Sequence, residues 1–83
     1  MPIAKPWRSL DRSTLARAPD RYGVYELGDE DGTVLEVETG VLPDELKSAI
    51  AYGTATAVRW ETTQTRAQAE ELAEEHRRRL EDR

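Results

Sequence analysis

The sequence predicts a single α/β domain: a small, mostly antiparallel three-stranded sheet with flanking helices in the order ββαβα, preceded by a short N-terminal helical segment. Three observations predict it. Two β-rich runs, Tyr22 to Leu27 and Thr33 to Glu38, flank a turn-forming Gly28-Asp29-Glu30-Asp31-Gly32 stretch. Two later stretches, beginning at Pro43 and Thr65, repeat apolar residues at helical spacing. Between them one more alternating run, Ala57 to Thr62, supplies a third strand. A chain of this length buries only roughly 60–65% of its unfolded surface, so one layered core is the ceiling.

Taken from the start, Ser9-Leu10-Asp11 precedes the run Arg12 to Ala18, which Pro19 ends. A Ser or Asp cap and a terminating Pro fit one or two helical turns, with Leu10 and Leu15 free to dock on the body. Residues 1–18 are thus expected as a segment packed on a domain spanning 19–83. The glycines and aspartates between the first two strands supply the positive φ and the side-chain hydrogen bonds of a hairpin loop. In the second strand the period of two places Leu35 and Val37 on one face and Val34, Glu36 and Glu38 on the other.

Pro43 suits a first helical position, Asp44 and Glu45 favour the positive end of the helix dipole, and Leu42, Leu46, Ala49 and Ile50 recur on one side until Gly53. In the third strand Val58 and Trp60 point inward and Arg59 and Glu61 outward. Thr65 and Gln68 form a capping-box pattern, and Ala69, Leu72, Ala73, His76 and Leu80 make the apolar stripe of a long last helix.

Composition narrows the function classes. With no cysteine and His76 as the sole histidine, disulfides, thiolate nucleophiles and structural zinc are excluded. No apolar run approaches the roughly 20 residues that span a bilayer, so no membrane role and a cytoplasmic setting are expected. The net charge of −5 is uneven: residues 1–21 net +3, residues 22–58 net −7 and the remainder −1. That acidic centre disfavours nucleic acid, whereas the N-terminal segment, with Arg8, Arg12, Arg17 and Arg21, does not. Ten arginines against two lysines, with acid excess, is similar to proteins of salt-loving microbes. At molar salt the screening length is about 3 Å, and net charge then says little about partners.

The strand–hairpin–helix–strand–helix order, Gly23-Val24-Tyr25 within APDRYGVYEL, the DGTVL turn and strand, DELKSAI and TRAQAEELAEEHRRRL resemble the GIY-YIG nuclease domain over about residues 19–81. In active members two motif tyrosines, a first-helix arginine and a metal-binding glutamate on the last helix converge on a scissile phosphate. Such a site activates the nucleophile, polarises the phosphoryl oxygen and offsets growing negative charge. Here Tyr25 matches the first tyrosine, but the second triplet falls on Glu36-Val37-Glu38, the arginine position on Glu45, and the glutamate on Ala73 or, with a one-residue slip, Glu74. Two elements of four remain at best, and Glu45 reverses the charge that a phosphate needs.

The resemblance therefore implies a degenerate, non-catalytic domain acting as a small binding or interaction module, with a protein partner or a second copy as occupant. No catalytic residue is expected; Tyr25, Glu36, Glu38, Glu45 and Glu74 are the vestigial-site candidates. No cofactor and no metal is expected. One alternative is a nucleic-acid-binding protein that keeps the docking surface through Arg8, Arg12, Arg17, Arg21 and Arg59. Another is a divergent endonuclease, which would require Mg²⁺ or Mn²⁺.

Blander roles compete with each candidate. Tyr22, Tyr25 and Tyr52 are expected to pack their rings against the body, Glu36, Glu38 and Glu45 to be solvated rather than to hold a cation, and His76 to be half-buried packing. Glu74 with Arg78 and Glu75 with Arg79 stand at helical pairing distance and stabilise the helix without a ligand. A groove near Trp7 and Trp60 could take a small ligand or peptide.

Overall fold

The computed structural model describes residues 5–81, so residues 1–4 of the N-terminal segment and 82–83 of the domain lie outside the described region. The order is β1 (Arg8–Ser9), α1 (Arg12–Arg17), β2 (Tyr22–Gly28), β3 (Val34–Val41), α2 (Leu42–Tyr52), β4 (Ala57–Thr62) and α3 (Arg66–Glu81). The four strands form one antiparallel sheet in the order β1-β4-β2-β3. The expected sheet of three strands thus gains a fourth: Arg8 and Ser9 pair with Val58 and Ala57. Two residues between prolines and a capped helix carry no alternation, so only the unpaired edge of β4 reveals them as a strand.

Local signals set the helix ends. Asp11 caps α1 by accepting the Thr14 N–H at 2.9 Å. Gly53 closes α2, its N–H donating to the Ala49 carbonyl. At the start of α3 the Thr65 hydroxyl accepts the Gln68 N–H at 3.1 Å, and the Gln68 side chain reaches back to the Gln64 N–H at 3.0 Å. In the hairpin loop Asp29 accepts from the N–H groups of Asp31 and Thr33, the self-bonding turn that Asx residues favour.

Helices cover both faces of the sheet. On one, Tyr25, Leu27, Val58 and Trp60 pack against Leu42 and Leu46 of α2, with Leu10 and Leu15 completing the cluster. On the other, Val24 and Val37 meet Ala73, flanked by Leu72 and Leu80 of α3. Central strand β2 is consequently buried without a break from Gly23 to Gly28.

Strand β3 departs from the expectation in two ways. It extends past Glu38 to Val41, because Thr39, Gly40 and Val41 pair with Val24, Gly23 and Tyr22. A register shift opposite Leu27 and Gly28 also skips Leu35. Such a bulge reverses the alternation beyond it, so Val34 rather than Leu35 joins Val37 against α3 and Leu35 is 47% exposed. Tyr52, expected to pack, is 90% exposed at the end of α2. At the outer edge of the sheet the Arg77 guanidinium donates to the Val37 carbonyl and lies 3.4 Å from Glu38, which covers part of the edge that β3 would otherwise offer to another strand.

Candidate functional site

Tyr25 stands in the middle of β2 on the α2 face, paired in register with Glu38 on one side and Trp60 on the other. Its hydroxyl donates to Glu45 Oε1 at 2.9 Å. Glu45 reaches it by crossing Gly40, where any Cβ would collide with the Glu45 side chain, so the glycine holds the path open. Burial, the bond to Glu45 and the nearby charges of Glu45, Glu38 and Glu36 together push the Tyr25 phenol well above the ordinary tyrosine range. At neutral pH this hydroxyl is a donor held by a carboxylate, not a base or a nucleophile.

Because the folded state favours the neutral phenol, its stabilisation is complete below the unfolded tyrosine pKa of about 10 and is lost as pH rises through the higher folded value. Alkaline titration followed by phenolate absorbance should therefore show one tyrosine of three ionising only together with unfolding. Tyr25→Phe should remove that late phase, and Glu45→Gln should move it to lower pH. A late phase untouched by Tyr25→Phe would show that the proton is held elsewhere.

The opposite face holds a second polar cluster. Glu26 is fully buried; its Oε1 accepts from Arg59 Nε at 2.6 Å, and its Oε2 lies 3.5 Å from Nδ1 of buried His76. The Trp7 ring stacks on the Arg59 guanidinium at 4.1 Å and lies flat over Gly28, where a Cβ would meet the ring at 2.7 Å. Strand register puts Glu26 opposite both Val37 and Arg59, and α3 lowers His76 onto the same spot. Glu26 Oε2 and His76 Nδ1 have no hydrogen-bond partner among the described residues.

The profile of a domain of unknown function, DUF7508, matches residues 1–79. The chain belongs to that family. No curated protein and no solved structure matches it. The matched span covers both polar clusters, from Trp7 and Tyr25 to His76.

Of the vestigial-site candidates, this DUF7508 domain brings Tyr25 and Glu45 into contact and sets Glu36 and Glu38, both exposed, beside them on the same face. Glu74 does not join them. It lies on α3, beyond the other face of the sheet, exposed and 3.9 Å from Arg78, because its neighbour Ala73 takes the buried position. Among the described residues no three His, Asp or Glu side chains gather closely enough to hold a metal ion. No described helix is long and apolar enough to cross a membrane.

The arginine set divides likewise. Arg8, Arg12, Arg17 and Arg21 are exposed, with Arg8 lying 5.1 Å from the Trp60 ring centroid. Arg59 was expected to point outward and is instead committed to Glu26 beneath Trp7, with its side chain only 15% exposed. It is shielded from solvent because Trp7 stacks over its guanidinium and Glu26 accepts from its Nε. His76 is likewise buried rather than half-buried, facing Glu26. Trp7 and Trp60 pack on opposite faces of the sheet. Sequence reasoning missed Glu26. The available signal was a lone glutamate between Tyr25 and Leu27 in the most apolar strand, two strand positions from which a partner cation had to be found.

Proposed function

We propose that this DUF7508 domain is a non-catalytic, GIY-YIG-like module whose role is binding. The observation that carries the proposal is the Tyr25–Glu45 hydrogen bond, with Glu36 and Glu38 beside it. Phosphoryl transfer needs positive charge where negative charge grows. Here the matching surface presents three carboxylates and a phenol that resists ionisation. The divalent ion that an endonuclease would use does not fit this residue set, since Glu74 is across the sheet from Tyr25 and no metal-holding group forms among the described residues. A cytoplasmic setting belongs to the same proposal.

Nucleic-acid binding is the second candidate, favoured by Arg8, Arg12, Arg17 and Arg21, which are exposed and lack carboxylate partners among the described residues. Arg59 is withdrawn from that set by its pairing with Glu26. Both candidates are separated by incubating the protein with labelled single-stranded, duplex and branched DNA and with RNA, with Mg²⁺ or Mn²⁺ present. Intact strands are expected in every lane. Cleavage abolished by Tyr25→Phe would overturn the non-catalytic proposal, and binding that weakens steeply with salt would assign the arginine set to phosphate contacts.

A further inference from the structure

Two short helices on the α2 side of the molecule carry the same surface pattern. Arg12, Leu15 and Ala16 on α1, and Lys47, Ile50 and Ala51 on α2, each present a cation followed three and four positions on by apolar residues. Residues three and four apart share one helical face, so each helix offers a short apolar ridge headed by a positive charge. The two faces line one open groove of about 520 Å³, within the roughly 300–1,000 Å³ of ordinary binding sites. Its surface is mostly apolar, although Leu15 and Ile50 are only partly buried and Ala16 and Ala51 are exposed.

Two cations line this groove. Among the described residues neither Arg12 nor Lys47 has a carboxylate partner, whereas Arg66, Arg77, Arg78 and Arg79 of α3 are all paired. Lys5, Arg8, Arg17 and Arg21 also lack a carboxylate partner among the described residues, but Arg12 and Lys47 line a groove whose remaining wall is apolar, a setting that folding does not require. A phosphate backbone would satisfy the charges and leave the apolar floor wet. An acidic amphipathic helix satisfies both, laying an apolar stripe between the two ridges with its carboxylates against Arg12 and Lys47.

We propose that the α1–α2 groove is a docking site for an acidic amphipathic helix of a partner protein. This deepens the binding role proposed above and rests on it. The probe is a fluorescein-labelled peptide of about 18 residues, five helical turns, with leucines along one stripe flanked by glutamates. A second peptide replaces every glutamate by lysine, and labelled duplex DNA is the third ligand. Anisotropy should rise with the glutamate peptide. The double reversal Arg12→Glu with Lys47→Glu should weaken that binding about tenfold or more and transfer preference to the lysine peptide. Ile50→Asp, at a partly buried position of the groove wall, should abolish both.

The proposal is overturned by equal binding of the two peptides, by binding of neither, by indifference to the double reversal, or by DNA binding more tightly through the same two cations. Self-association that Ile50→Asp removes would assign the groove to a second copy and overturn it equally. The same samples are assayed for strand cleavage. Cleavage with peptide binding intact would remove the non-catalytic proposal while leaving the groove assignment standing.

Discussion

Arg59→Ala should lower the unfolding free energy by about 3–5 kcal/mol, the cost of leaving a buried carboxylate without its partner. Glu26 is fully buried, and among the described residues the Arg59 guanidinium is the single charged donor within hydrogen-bond distance of its Oε1. The neighbouring His76 Nδ1, at 3.5 Å from the other oxygen, does not replace a bond of 2.6 Å. Domains of this size are stabilised by on the order of 5–10 kcal/mol, so the variant should be close to unfolding at room temperature. Urea titration followed by tryptophan fluorescence measures the loss, since Trp7 rests on the Arg59 side chain.

The pair should also be asymmetric. Glu26→Gln leaves Arg59, whose side chain keeps 15% exposure and can turn toward water, and it should cost less than Arg59→Ala. Replacing both, as Glu26→Leu with Arg59→Met, removes the two charges together and should recover much of the loss. A cost below about 1 kcal/mol for Arg59→Ala would mean that Glu26 does not depend on this partner in the folded chain.

Leu46→Ala is the second large effect, about 2–5 kcal/mol, because Leu46 is fully buried among Tyr25, Leu27, Val58 and Trp60 and its removal leaves a cavity. Ile50→Ala, one turn further along α2 and only partly buried, should cost much less. The comparison tests which turn of the inward face of α2 holds the helix to the sheet. Loosening that face should also free Glu45, one residue away, from the Tyr25 hydroxyl. The late phase of tyrosine ionisation should then move to lower pH in Leu46→Ala and stay in place in Ile50→Ala. Equal losses in the two variants would show that α2 is not anchored through Leu46.

Much of the fold was legible residue by residue. Asp11, Thr65, Gln68 and Gly53 act at helix ends as their side chains and backbone preferences dictate, and β4 runs from Ala57 to Thr62 as its alternation implies. These signals are local: each is satisfied by partners within about four residues. The same locality accounts for the misses. Nothing near Arg8 and Ser9 announces a strand, because their partners lie some fifty positions away on β4. Nothing near Leu35 announces the bulge that turns it outward. A period of two cannot reveal that both sheet faces are covered, and so Arg59 and His76 were placed facing water or half-buried.

The candidate site divides along the same line. Sequence alone determined that the chain has no cysteine, which excludes disulfide and thiol chemistry, and it made Tyr25 and Glu45 site candidates only through a resemblance to nuclease domains. Only the tertiary structure decided that Glu45 accepts a hydrogen bond from the Tyr25 hydroxyl, that Glu74 lies beyond the opposite face, and that Glu26, Arg59 and His76 meet at one buried point. A charge is costly or harmless according to what surrounds it, and in this chain those surroundings are built by residues 20 to 50 positions apart that only strand order and helix placement bring together.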